Sequence, residues 1–284
     1  MSAADLISVV ITTYNRSEAL VPVLQALAAQ DDRQFEVIVA DDGSTHQHQD
    51  AILAASRRLG LGLTHVWHPD TGFTASRVRN LGVARAMGSY IVLLDGDCIP
   101  ETDFVRRHRH LREPKTFVNG SRVMLSQRLS EAAVRGAVKV QGRGLPFWLH
   151  QRLLGNASKL SGLLRLPDYA GRKQAGFVWK GIRSCNMGVW RDDFETVNGF
   201  DESFVGWGHE DADFVLRLHN AGILRKNGFA ATEVYHLWHA QASRSTESRN
   251  AATVRQRMQT AQIRSTIGYS ESKAAKDVVT HRWG

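Results

Sequence analysis

The chain has 284 residues, 43% of them hydrophobic and 23% charged, enough to bury a full core as one large domain or a domain with an appendage, which excludes a disordered chain. No apolar stretch reaches the ~18–20 residues of a membrane-spanning helix, and the start Met1-Ser2-Ala3-Ala4-Asp5 lacks the basic head of a signal peptide, so a cytoplasmic protein is expected. The net charge of +8 is unevenly placed: residues 1–103 carry 7 basic and 13 acidic side chains, residues 104–183 carry 17 and 3. That segregation suggests a positive face for an anionic partner, and charge alone does not choose between a phospholipid surface, an acidic acceptor and nucleic acid.

Residues 7–16, Ile7-Ser8-Val9-Val10-Ile11-Thr12-Thr13-Tyr14-Asn15-Arg16, read as a first strand running into a polar turn, and residues 20–30 follow at helical spacing, a βα unit. A second strand, 35–40, ends in Asp41-Asp42-Gly43-Ser44-Thr45, and Leu63–Trp67 follows another helical stretch. This alternation predicts a doubly wound sheet. A helix over 76–86, carrying Arg77, Arg79, Asn80 and Arg85, leads into the apolar strand 90–94, which ends in Asp95-Gly96-Asp97. Two carboxylates at the carboxyl end of a buried parallel strand stand where ligands of such sheets collect, and their hard oxygens suit Mg2+ or Mn2+. Cys98 follows, and with Cys185 makes only two cysteines, too few for a disulfide framework or a structural zinc site; both are expected reduced and buried.

Residues 145–167 interleave Leu, Phe and Trp with basic side chains and no acids, the pattern of an interfacial membrane segment and equally of a core or subunit face. No nucleic-acid motif accompanies the basic residues, so nucleic acid is not expected as a partner. Further on, Trp207-Gly208-His209-Glu210-Asp211 opens a helix whose Phe214, Val215 and Leu218 share a face and which Gly222 stops. Acids in a first turn are ordinary. The Trp-Gly pair adds an indole platform for a sugar ring and a close backbone approach beside those carboxylates. A strand-like stretch, Val234-Tyr235-His236-Leu237-Trp238-His239, brings two histidines, and the tail from 240 onward has weak helical periodicity. Glycine-rich phosphate loops of dinucleotide enzymes and ATPases are absent, as is the N-terminal loop of a sugar nucleotidyltransferase.

In this order, the motifs resemble the family-two glycosyltransferases of the GT-A fold, with a C-terminal half like that of the β-galactosyltransferases and chondroitin-type polymerases, over roughly residues 6–240. The resemblance implies an α/β fold: a doubly wound, mostly parallel mixed sheet with helices on both faces and a helical C-terminal tail. It implies a catalytic domain 1–240, divided into a nucleotide half 1–103, a basic variable insert 104–174 and an acceptor and metal half 175–240, with the tail at 241–284. It places Thr12, Tyr14, Arg16, Asp42, Arg79, Asp95 and Gly96 around a UDP-sugar. Asp97, Asp95 and His236 would hold Mn2+ or Mg2+, with His239 close enough to compete with His236. Trp207, Gly208 and His209 would face the acceptor, with Asp211 as general base and Glu210 orienting the acceptor. Two positions depart from the family pattern: Cys98 stands where many relatives have Asp, and His209 where relatives of the Trp-Gly-Gly-Glu-Asp type have Gly. The expected activity is metal-dependent, inverting transfer of a hexose or N-acetylhexosamine from a UDP-sugar to a hydroxyl of a glycan or glycolipid, in bacterial surface polysaccharide synthesis. An anionic membrane surface on the inner face of the cell membrane is a further candidate partner.

Overall fold

The apolar runs that end in polar turns form four parallel strands. The computed structural model describes residues 5–240 and 245–283. In it β1 (Ile7–Thr13), β2 (Phe35–Asp41), β3 (Leu63–Trp67) and β4 (Tyr90–Asp95) alternate with α1 (Ser17–Ala28), α2 (His46–Leu59) and α3 (Ala75–Arg85). Parallel strands need cover on both faces, and β1 supplies apolar side chains to each at a period of two. Val9 and Ile11 pack with Leu20, Leu24 and Val92, whereas Val10 packs on the opposite side with Ile38, Leu81 and Phe200. The register sets Thr12 beside Ala40 of β2 and Asp95 of β4. The turns after β1, β2 and β4 therefore leave the sheet at one carboxyl edge, where open α/β sheets bind ligands.

Beyond β4 the sheet becomes mixed. The chain continues through β5 (Cys98–Pro100), α4 (Phe104–Leu111), β6 (Thr116–Asn119), β7 (Ser121–Met124), α5 (Gln127–Val134), α6 (Leu145–Leu153) and β8 (Lys173–Gln174). It then forms β9 (Asn186–Trp190), α7 (Arg191–Thr196), α8 (Glu210–Asn220), β10 (Leu224–Asn227) and β11 (Glu233–His236). The tail holds α9 (Glu247–Arg257), α10 (Tyr269–Ala274) and β12 (Val279–Trp283). Among the described residues the larger sheet runs β12-β3-β2-β1-β4-β9-β6-β10-β8, with β9 antiparallel to both β4 and β6. A smaller sheet, β5-β11-β7, pairs His236 with Cys98 across its antiparallel edge. That pairing brings the stretch after β11 onto the turn after β4.

The basic segment joins the same fold through β6, β7, α5 and α6. Its leucine-rich stretch divides by face: Trp148 is buried and stacks on Tyr235 at 4.3 Å, while Leu145, Leu149 and Leu153 are exposed. Both cysteines are free and buried, as their apolar surroundings predict. No helix among the described residues is long and apolar enough to cross a membrane. Residues 1–4 of the chain start and 241–244 of the tail lie outside the described residues.

The tail differs from a purely helical one. Its two helices are present, and β12 adds an antiparallel edge strand along β3, with Trp283 stacked on His65 at 4.9 Å. Five residues are too short to show a period, and the strand depends on the open edge of β3, a non-local feature. The tail is also held by charge. Buried Arg217 of α8 meets Asp213 at 2.8 Å and donates to the carbonyls of Val197 and Gly199, and Arg257 of α9 meets Asp213 at 2.6 Å and Asp201 at 2.8 Å.

Removing one partner of a buried pair leaves the other charge uncompensated, so Asp213→Ala is expected to lower unfolding free energy by about 3–5 kcal/mol. Arg257→Ala, at a more exposed site, should lower it less. Urea denaturation measures both, and a loss below about 1 kcal/mol for Asp213→Ala would place this pair among the weak surface bridges.

Candidate active site

The turns at the carboxyl edge are tied together before any ligand is considered. Asn15, held in the left-handed region at φ 47°, donates its backbone N–H to Ser44 Oγ at 2.8 Å, and its side-chain oxygen accepts from the Thr45 N–H at 2.9 Å. Tyr14, 46% exposed, projects from this turn and donates to Asp70 at 2.8 Å. Asp42 is buried and accepts from His68 Nε2 at 3.0 Å, from the Thr74 N–H at 3.0 Å and from the Thr74 hydroxyl. A carboxylate has about four lone-pair sites, so one remains for a ligand N–H. Gly96 lies so close to the end of β1 that a Cβ would meet the Thr12 carbonyl oxygen at 2.8 Å, which explains why the residue between the two aspartates is glycine. All seven residues expected around the nucleotide, Thr12, Tyr14, Arg16, Asp42, Arg79, Asp95 and Gly96, line one groove of about 350 Å³ together with Asp97 and His239.

One corner of this groove has the donors of a metal site. His236 Nε2 lies 3.6 Å from Asp97 Oδ1 and His239 Nε2 lies 3.5 Å from Asp97 Oδ2, so both histidines meet the same carboxylate. Arg16 also reaches it, at 3.1 Å. Burial holds the His236 pKa below its ordinary value, against the opposing pull of Asp97, which keeps the imidazole in the neutral form that ligates metals. Its Nδ1 is buried with no hydrogen-bond partner. A carboxylate and two imidazoles within 3.6 Å of it fit a divalent cation. Asp95 is turned elsewhere: its Oδ1 accepts from Thr12 at 3.1 Å and from Arg79 at 3.3 Å.

A second cavity, of about 360 Å³, adjoins the first, and Phe73, Arg79 and Asp95 line both. Trp207, Gly208, His209, Glu210 and Asp211 form part of its wall. The approach to α8 is built from left-handed backbone, with φ 78° at Gly206, 103° at Gly208 and 70° at His209. His209 is thus a side chain held where glycine is favoured, and its ring meets Trp179 edge-on at 5.3 Å. Arg79, buried, bridges the cavities: one guanidinium nitrogen meets Asp95 at 3.3 Å and another meets Glu210 at 3.1 Å. Burial opposes its charge, but Asp95, Glu210 and Asp211 together hold its pKa above the ordinary value. Asp211 is pushed up to about 7, first by burial and then by the charge of Glu210, with Arg79 opposing. The fold therefore favours its neutral form: the stability this gives is complete below the ordinary value of 3.8 and is lost as pH rises through about 7.

Several residues in or behind the walls of these cavities carry no signal in the sequence. His68 and Thr74 fix Asp42 from 26 and 32 residues away. Arg122 and Arg183 belong to the basic segment, whose charge is visible in the sequence, but only the folded chain brings them to the cavity of Asp95, Glu210 and Asp211. Arg122 also donates to Cys185 Sγ at 3.6 Å, which makes Cys185 part of the same wall.

Residues 8–165 match the family model described as glycosyl transferase family 2, and residues 173–240 match one described as the N-terminal domain of galactosyltransferase. Validoxylamine A glucosyltransferase of Streptomyces hygroscopicus subsp. jinggangensis (strain 5008) is 30% identical over 231 residues, 78% of this chain and 53% of that protein. Hyaluronan synthase of Pasteurella multocida is 30% identical over 241 residues, 76% of this chain and 23% of the synthase. The chain thus spans about half the length of the first of these relatives and a quarter of the second. Among solved structures, S. aureus TarS 1-349 in complex with UDP-GlcNAc superposes with a TM-score of 0.56 at 15% identity, covering 94% of this chain and 69% of that one. The mannosyltransferase PcManGT from Pyrobaculum calidifontis, in complex with GDP-Man and Mn2+, gives 0.53 at 16% identity, covering 87% and 68%. At such identities the likeness establishes the fold, which is the GT-A fold. Its mixed sheet, its groove at the carboxyl edge and the match over residues 8–165 lead to one assignment: the chain belongs to glycosyl transferase family 2.

Proposed function

We propose that this chain is a divalent-metal-dependent, inverting glycosyltransferase that moves a hexose or N-acetylhexosamine from a UDP-sugar to a hydroxyl of a glycan or glycolipid acceptor in bacterial surface polysaccharide synthesis. The observation that carries this reading is the meeting of two cavities at Arg79 and Asp95, one with the nucleotide-type residues and the Asp97 corner, the other with a carboxylate whose pKa is about 7.

In this reading Tyr14 stacks on the uracil and the remaining lone pair of Asp42 accepts its ring N–H. Asp97, His236 and His239 would hold Mn2+ or Mg2+, and the chemistry such an ion supplies when bound is Lewis-acid neutralisation of the departing diphosphate. Trp207 offers its indole to the acceptor sugar, beside Gly208 and His209. Glu210, fixed by Arg79, accepts a hydrogen bond from the acceptor and sets its orientation. Asp211 takes the proton of the attacking hydroxyl, on the side of Arg79 away from the Asp97 corner. A base poised near the working pH is the efficient choice for such a step. Inversion follows when nucleophile and leaving group occupy opposite sides of the sugar carbon, as the two adjoining cavities would arrange them.

The same fold leaves Leu145, Leu149 and Leu153 exposed at intervals of four along α6, in a stretch, 132–167, with six Lys or Arg and no Asp or Glu. We assign this face to peripheral docking on the anionic inner surface of a cell membrane, near a lipid-linked acceptor. Sedimentation with vesicles rich in acidic phospholipid should carry the protein down at low salt and release it as salt rises. Leu149→Glu combined with Leu153→Glu should abolish sedimentation, and binding indifferent to both changes would reject the assignment.

The catalytic reading is tested through pH. A panel of UDP-galactose, UDP-glucose and their N-acetylated forms, assayed for UDP release with Mn2+, selects the donor. With it, the rate should rise with pH through a limb near 7 as Asp211 loses its proton. Glu210→Gln removes the neighbouring charge that helps hold that pKa up, so the limb should move down by about one pH unit while the rate falls. A limb that stays in place in Glu210→Gln would remove Asp211 from the role of base.

A further inference from the structure

Cys98 does not share the groove that Asp97 and His239 face, yet its sulfur belongs to the same cluster. It follows Asp97 directly, and the antiparallel pairing of β5 with β11 sets it opposite His236. Cys98 Sγ lies 3.7 Å from Asp97 Oδ1, and His236 Nε2 lies 3.6 Å from that same oxygen. One ligand atom from each of Asp97, Cys98 and His236 lies within 4.8 Å of the other two. Bonds of about 2.0–2.3 Å in a tetrahedral zinc shell put donor atoms about 3.3–3.7 Å apart, so this cluster needs only a small contraction to close around an ion.

Resting on the reading of Asp97 and His236 as the metal corner, we propose that Asp97, Cys98 and His236 form an inner site for a thiophilic divalent cation of the zinc class, with Cys98 as its third protein ligand. The donor set decides the selectivity. Mg2+ takes oxygen ligands and keeps its waters, whereas carboxylate, thiolate and imidazole together suit zinc and cobalt. Burial strengthens this, because both Cys98 and His236 are withdrawn from solvent while Asp97 faces the groove. On binding, the metal–sulfur bond forms as the S–H bond breaks, the proton passes to water and no electron is transferred. Since the Nε2 of His236 serves one ion at a time, zinc bound here takes that ligand from Mn2+ or Mg2+ at the corner. Zinc therefore competes with the corner's ion and needs no nucleotide to bind.

The test uses the chelator-treated full chain titrated with Co2+. A thiolate-to-cobalt charge-transfer band should appear in the near ultraviolet, and one equivalent of Zn2+ should abolish it. Cys98→Ser should lose the band and bind Zn2+ at least about tenfold more weakly, as expected when a soft ligand is replaced by a hard one. Should that variant fail to fold, Cys185→Ser decides, because Cys98 is then the sole thiol and the band must persist in full. Absence of the band in the wild type, or its loss in a folded Cys185→Ser, overturns the proposal. The rise in Tm of the wild type with UDP and Mn2+, read on the same preparation, separates the two levels: a rise without a cobalt band removes the inner site alone, and neither signal removes the metal corner as well.

Discussion

The structure depends on one buried guanidinium. Arg79 reaches Asp95 at the end of β4 with one nitrogen and Glu210 at the start of α8 with another, so one side chain ties two distant turns together. Asp95, Glu210 and Asp211 line one cavity, and three carboxylates so placed would repel each other without a cation among them. Arg79 stands between Asp95 and Glu210 as such a cation, and its planar fork directs a separate nitrogen at each carboxylate. The resemblance placed Arg79 around a UDP-sugar; its position between two protein carboxylates also ties the start of α8 to the end of β4.

Around that pair the fold accepts local penalties that a purely structural protein would avoid. His209 is held at φ 70°, a region where side chains are rare, to start α8 beside Trp179 and Trp207. Asp211 sits where its charged form is disfavoured by burial and by Glu210. The fold would be more stable with that proton on, whereas a base must have it off. Strain and a raised carboxylate pKa in one cavity are the physical grounds on which it is proposed as the site.

Much of this was legible in the chain itself, for local reasons. Strands β1 to β4 are apolar runs that end in polar turns, so their carboxyl edge, and with it Thr12, Asp42, Asp95 and Asp97, follows from pattern alone. The start of α8 was legible from the acids after a Trp-Gly pair. Illegible features are those made by distant pairing. Nothing in the sequence says that Thr74 and His68 occupy three of the four acceptor positions of Asp42, that Arg122 and Arg183 leave the basic segment's surface for a cavity, or that Val279–Trp283 closes the edge of β3. Whether His236 or His239 meets Asp97 was likewise open in the sequence. The β5–β11 pairing and the turn after it bring both there.

The central claim is a division of labour across Arg79, with donor and cation on one side and proton abstraction on the other. A paired titration tests it most directly: UDP affinity with and without Mn2+, and acceptor turnover, on Asp97→Asn and Asp211→Asn. Asp97→Asn should lose metal-linked UDP binding together with transfer, while Asp211→Asn should bind UDP as the wild type does and transfer roughly 10²- to 10⁴-fold more slowly, the usual contribution of a positioned base. Equal UDP affinity with and without chelator in the wild type, or near wild-type transfer by Asp211→Asn, would contradict the account.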